Sequence, residues 1–177
     1  MKISIITFAI CSFFLISCNS KPSLEKYFVE NSENKNFVQV DVSPSILNIE
    51  KNKLTVSEQT ALKSFDKMNV LAFKLSDKNQ AQFETERTKV TEILKDEKYQ
   101  QLMKFGSGKQ GAQLSYVGDD EHISEFVIFG NSKESGFALV RVLGKDMNPT
   151  SIMTMLSVLK SSKIDLEQLK PLKDLMN

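Results

Sequence analysis

The single histidine of this 177-residue chain, His122, follows three consecutive carboxylates, Asp119, Asp120 and Glu121. An imidazole beside three oxygen donors is a set that could hold a divalent cation. The same four residues suit a solvated hairpin tip, where glycine and aspartate supply turn geometry. Adjacent strand residues point alternately, so four in a row do not converge, and calcium-loop spacing is absent. The hairpin tip is therefore the reading taken, with Asp119, Asp120, Glu121 and His122 kept as the metal alternative. Gly106-Ser107-Gly108-Lys109 has the composition of a phosphate loop but lacks the Lys-Ser/Thr ending and the strand–loop–helix context, so it predicts a hairpin turn. Arg141 interrupts an apolar run and must find a carboxylate or carbonyls. It reads as an edge or snorkelling residue, or as part of a binding site. Four of the seven methionines, Met147, Met153, Met155 and Met176, lie near the C-terminus, where they fill a core or line an adaptable groove. No serine or cysteine nucleophile has a paired base, so no catalytic set is legible and no cofactor is implied.

The remaining chemistry is at the N-terminus. Lys2 precedes an apolar run from Ile3 to Ile16, which has the length of a signal-peptide core and falls short of the ~20 apolar residues of a spanning helix. At its end, Leu15-Ile16-Ser17-Cys18 resembles the lipobox of bacterial lipoproteins. Leu15, Ile16 and Ser17 would be read by the signal peptidase, with Leu15 in an apolar pocket and the small Ser17 at the cut. The Cys18 thiol would become a diacylglyceryl thioether. Burial is worth ~0.8 kcal/mol per methylene, and one acyl chain is marginal, so two or three hold a protein durably. The expected organisation is a leader over 1–17, a lipidated tether over 18–22 and one domain over 23–177. The expected address is the cell envelope, with the membrane as a partner through Cys18. Asn19-Ser20-Lys21-Pro22-Ser23 has no acidic cluster, which favours a periplasm-facing protein over a surface-exposed one.

Composition narrows the function classes. Lysine plus arginine total 23 against 22 acidic residues, and loss of Lys2 would balance them. No basic patch suggests nucleic acid. With Cys11 in the leader and Cys18 lipidated, the mature domain would have neither a disulfide nor a cysteine metal site.

The elements that position these residues follow from periodicity and caps. Ser23 predicts the start of a helix over 24–31, with Leu24, Tyr27 and Phe28 on one side. Val38, Val40 and Val42 alternate as a strand. Ser43-Pro44 opens a short turn of helix through Ile46, Leu47 and Ile49. Thr55 and Glu58 have capping-box spacing ahead of a helix at about 56–67, where Ala61, Leu62, Phe65 and Met68 recur. A strand over 70–75 follows. Ser76-Asp77 then caps a helix burying Phe83, Val90, Ile93 and Leu94, with Glu84, Glu86 and Arg87 facing water and Glu86 paired with Lys89. From Tyr99, glycine-containing turns separate runs 99–105, 112–117, 124–129 and 137–143, an antiparallel meander. Gln113 and Ser115 give the second of these one wet face. The last two runs are apolar on both faces, as central strands are when something covers the second face. Asn148-Pro149 opens a helix with Ile152, Met155, Leu156 and Leu159 at i, i+3, i+4 and i+7. A last short helix holds Leu166 and Leu169. The class is α+β: a mostly antiparallel sheet of four to six strands, packed with helices on one face.

The leader, the 70–75 strand before a polar helix, the glycine-turned hairpins, and Leu139-Val140-Arg141-Val142-Leu143-Gly144-Lys145 before an amphipathic helix together resemble the DUF4252 family of small bacterial lipoproteins. The resemblance covers about Leu24 to Leu159. It implies lipidation and this fold, and it carries no activity. The function expected is a lipid-anchored envelope protein whose domain is a binding or interaction module, with an envelope protein as partner. The alternatives are a metal-dependent envelope hydrolase resting on 119–122, and a regulatory envelope-stress lipoprotein.

Overall fold

The computed structural model describes residues 21–44, 54–107 and 110–154. Ser23 caps helix α1 (Leu24–Asn31), its hydroxyl accepting from the Lys26 N–H at 3.3 Å. The helical spacing of Leu24, Tyr27 and Phe28 turns all three inward, where they are buried. Strand β1 (Phe37–Val42) follows. The turn expected through Ile46, Leu47 and Ile49 lies outside the described residues.

Helix α2 (Val56–Ser64) opens on the predicted capping box. The Thr55 N–H donates to Glu58 Oε2 at 2.8 Å, and the Glu58 N–H returns to Thr55 Oγ1 at 3.3 Å. The helix stops three residues short of the expected 67. Phe65 takes φ −93° and ψ 122°, and begins strand β2 (Phe65–Lys74). The cause lies elsewhere in the chain: Phe65 pairs with Gly144. A Cβ at Gly144 would stand 1.9 Å from the Ser64 carbonyl oxygen, so only glycine lets the helix end press this close. Phe65 and Met68 are thus placed by strand pairing, and their helical spacing is fortuitous.

Helix α3 (Gln80–Ile93) starts after Asn79 rather than at Ser76-Asp77. Asn79 Oδ1 accepts from the Ser76 N–H at 2.8 Å and its Nδ2 donates to the Lys74 carbonyl at 3.0 Å, so the predicted cap residues form a turn instead. Phe83, Val90, Ile93 and Leu94 are buried as expected. Strands β3 (Gln100–Ser107), β4 (Gln110–Gly118), β5 (Ile123–Ser132) and β6 (Gly136–Met147) complete an antiparallel sheet of order β1-β2-β6-β5-β4-β3. Each is longer than its predicted run. Asn148 then caps a helix α4, described over 149–154, by accepting from the Ser151 N–H at 2.9 Å. Met155, Leu156, Leu159, Leu166 and Leu169 lie outside the described residues.

The α+β class and an antiparallel sheet, here of six strands within the four to six expected, are as the sequence predicts, whereas the helices are expected on one face only. The helices divide between the faces. On the first face, α1 and α3 cover the register-aligned rows Phe37–Phe73–Phe137 and Leu71–Leu139–Phe129. On the second, Leu62 of α2 and Ile152 of α4 pack with Phe65, Phe126, Val142 and Met147. The face expected to be wet on β4 is also different. Ser115 points under the helices and is fully buried, accepting a hydrogen bond from Gln113 Nε2 at 3.0 Å.

Candidate functional site

Arg141 lies on central strand β6, not at an edge, and its side chain is 6% exposed. Its Nε donates to Glu125 Oε1 at 2.6 Å and its terminal nitrogen to Glu125 Oε2 at 3.1 Å. The same terminal nitrogen reaches Glu25 Oε1 of α1 at 2.6 Å. The Phe28 ring sits 5.5 Å from the guanidinium carbon. Register explains the main pairing. Arg141 stands opposite Val127, which puts Glu125 on the adjacent diagonal of the same face. Burial works to raise the Glu25 carboxyl, but its backbone hydrogen bond and the Arg141 charge prevail and hold it below the ordinary value. Both sides of the guanidinium are thus taken by carboxylates. The arrangement clamps α1 to the sheet.

Glu86, expected to face water, is buried on α3. Its Oε2 accepts from the Tyr27 hydroxyl at 2.9 Å, and its Oε1 takes Lys89 at 2.8 Å, the predicted pair. Burial, then the Glu86 charge, push the Tyr27 hydroxyl's pKa far up. Asn36 Nδ2 adds a contact to Gln82 Oε1 at 2.6 Å. A second polar set therefore fastens α3 to the segment that holds α1.

The 119–122 stretch forms the β4–β5 turn, and its side chains face different partners. Asp119 Oδ1 accepts from the Glu121 and His122 N–H groups. Asp120 Oδ1 accepts from the Tyr116 hydroxyl at 2.8 Å. His122 Nδ1 lies 2.9 Å from Asp146 Oδ1 across the turn. Among the described residues, no three His, Cys, Asp or Glu side chains are grouped to hold a metal. Gly106 has φ +99° and Ser107 pairs with Gln110, the frame of a hairpin, with residues 108 and 109 outside the described set. The same holds for Leu15, Ile16, Ser17 and Cys18. Among the described residues, no helix is long and apolar enough to cross a membrane.

The His122 contact makes a pH prediction. The hydrogen bond to Asp146, then the Asp119 charge, raise the imidazole above its ordinary 6.5. A raised folded-state value means that the contact stabilises fully below the unfolded value and fades as pH rises through the folded one. By NMR titration, the His122 midpoint is expected above 6.5 and should drop in Asp146→Asn. The stability difference between the two proteins should shrink as pH rises through that midpoint. An unmoved midpoint would show that the contact is absent in solution.

The second sheet face carries the feature that the sequence reading missed. Cross-strand pairing aligns Val38, Ala72, Ala138, Gly130, Ala112 and Phe105, one from each strand. Four small residues in the middle make a trough running across the strands. The next row, Val40–Val70–Val140–Ile128–Leu114–Met103, forms an aliphatic ridge along one side. Lys74, Gly136, Ser132 and Gln110 form a polar rim on the other. The trough encloses about 920 Å³. Among the described residues, a Cβ built on Gly130 would meet nothing within 4 Å. At the β3 end, Leu102, Met103 and Phe105 are 41%, 49% and 58% exposed, so apolar surface continues to the edge strand. Such a concave apolar surface with a polar border can bind an apolar segment.

A model of the family described as "Domain of unknown function (DUF4252)" matches residues 27–155. No curated protein and no solved structure matches the chain.

Proposed function

The chain belongs to the DUF4252 family, and from that premise we propose that it is a lipid-anchored cell-envelope protein whose domain binds an apolar segment of an envelope protein. The observation that carries the binding role is the trough across strands β2 to β6, floored by Ala72, Ala138, Gly130 and Ala112. Small side chains in the floor leave depth for a partner's larger ones, and the aliphatic ridge supplies apolar area to bury. The polar rim fixes where the contact stops. An interface of this kind draws its affinity from desolvation of a central apolar strip, and its borders contribute little.

Leu15-Ile16-Ser17-Cys18 supplies the anchor in this reading. Lipid on Cys18 would place the domain within a few residues of the bilayer, because α1 starts at Leu24. The Arg141 clamp then serves the anchor: it joins the first helix after the tether to the two central strands. The periplasmic face is the favoured side. A regulatory role in envelope stress would use the same surface.

Two measurements test the two halves. Palmitate labelling should be lost in Cys18→Ala, and retained labelling would reject the anchor. A photo-crosslinking residue in place of Gly130 should give a defined adduct with one envelope protein in intact cells. The same probe in place of Lys95, exposed after α3 on the other face, should not. Identical products from both positions would sink the assignment of the trough.

A further inference from the structure

The two edges of the sheet differ. Strand β3 ends the order β1-β2-β6-β5-β4-β3 and pairs only with β4, so its outer backbone N–H and C=O groups meet no described strand. Gln100 to Gly106 are exposed without a break. Three of the six large apolar side chains exposed among the described residues, Leu102, Met103 and Phe105, belong to this one strand. The opposite edge, β1, contributes none, and its exposed side chains are Gln39 and Asp41. Polar groups of that kind blunt an edge, because unpaired backbone invites another strand. On β3 the only charge is Lys104. It stands opposite Gln113, whose amide reaches the buried Ser115 hydroxyl, and so lies on the face under the helices. There it lines, with Arg87 of α3, a hollow of about 320 Å³ that has no carboxylate in its wall among the described residues. Arg87 is held by Glu84 at 2.7 Å. Lys104 has no ion pair among the described residues.

We propose that the outer edge of β3 takes up an extended segment of the partner protein as an added strand, with apolar side chains opposite Met103 and Phe105 and a carboxylate opposite Lys104. The inference rests on the reading of the trough as a binding surface and gives the bound segment its conformation and charge. In strand addition, backbone pairing supplies affinity and alternate side chains supply the choice of partner. Unpaired N–H and C=O groups along β3 are what a second backbone satisfies. Successive side chains of the incoming strand fall on opposite faces. Those opposite Met103 and Phe105 therefore extend the ridge and the trough beyond β3, and the one between them falls beside Lys104 and Arg87. The register shift between Gln101 and Met103 makes Met103-Lys104-Phe105 the regular stretch that sets this phase. Charge decides against a second copy as the occupant. β3 has no acidic residue, so two such strands side by side would bring ammonium groups together without a counter-charge.

The test adds three eight-residue peptides, the length of β3, to the full isotope-labelled chain and follows hydrogen exchange of the β3 amides by NMR. The first peptide alternates valine and threonine, with glutamate in place of one central threonine. The second has lysine there instead. The third keeps the glutamate but has proline at the next two positions, which removes a pairing N–H whichever way the segment lies. The glutamate peptide should slow exchange of the outward-facing β3 amides several-fold, the lysine peptide less, and the proline peptide not at all. Lys104→Glu should reverse the preference between the first two. Should that variant not fold, Lys104→Gln should abolish the preference instead. Protection by none of the peptides, equal protection by the proline peptide, or a preference that the Lys104 variants leave unchanged overturns the proposal. So does β3 protection that grows with protein concentration alone, because a second copy would then hold the edge. A Gly130 adduct formed in cells despite such a failure keeps the trough as a binding surface and removes only strand addition. Loss of the adduct with β3 protection intact removes the trough instead.

Discussion

Arg141→Met is expected to destabilise the domain by about 3–5 kcal/mol, while the double change Arg141→Met with Glu125→Leu should cost far less. The asymmetry follows from burial. The Arg141 and Glu125 side chains are 6% and 7% exposed. Removing the cation leaves a carboxylate beneath α1 with neither water nor partner, and that uncompensated charge carries most of the cost. Removing both groups restores an apolar site, and buried pairs replaced in this way are often neutral. Glu25 is different: half its side chain reaches solvent, so Glu25→Gln should cost about 1 kcal/mol or less. Its lowered pKa places its contribution above the unfolded carboxylate value, to be lost as pH falls through the folded one. Urea titrations of Arg141→Met, Glu125→Leu and the double variant form the cycle that checks this. If Arg141→Met alone is as mild as the double change, the ion pair is not buried in solution.

The same residue shows why parts of this protein are legible in its sequence and others are not. That Arg141 needs a carboxylate follows from its apolar neighbours alone. Which carboxylate does not, because Glu125 and Glu25 are 16 and 116 residues away and are brought in by register and by helix docking. The Thr55–Glu58 box is local, and so it can be read directly. The end of that helix is not local. Phe65 joins β2 because Gly144 leaves room for the Ser64 carbonyl, a fact carried eighty residues downstream. Ser115 reads as wet because serine and alternation suggest it, yet α1 and α3 cover that side of the sheet. The trough is the plainest case. Ala72, Ala112, Gly130 and Ala138 are ordinary residues singly, and only the pairing register places them side by side. The apolar two-sidedness of β5 and β6 was the one sequence signal that a second face needed covering.

Phe137→Ala should cost about 3–5 kcal/mol, and comparison with Phe105→Ala tests whether the two sheet faces differ as described. Phe137 is 4% exposed and sits at the meeting point of α1, α3 and the sheet. It stacks on Phe73 with centroids 5.5 Å apart and planes 11° from parallel. It meets Phe37 edge-on at 5.9 Å and Phe129 at 5.8 Å. Phe83 of α3 packs on it at 6.2 Å. Truncation therefore opens a cavity bordered by four rings, each held by another element, and none can close it without shifting a strand or helix. Cavities that cannot collapse lie at the upper end of the cost range. Phe137→Leu fills much of the same space and should lose about 1 kcal/mol. Phe105, also an aromatic on a strand, is 58% exposed at the end of the trough. Phe105→Ala should stay within about 0.5 kcal/mol of the parent in urea, while weakening the partner adduct formed from Gly130. Stability lost at Phe137 and binding lost at Phe105 would separate the face covered by α1 and α3 from the open trough on the other face. Equal destabilisation by the two substitutions would instead mean that Phe105 is as much part of the core as Phe137, and the trough would then be no binding surface.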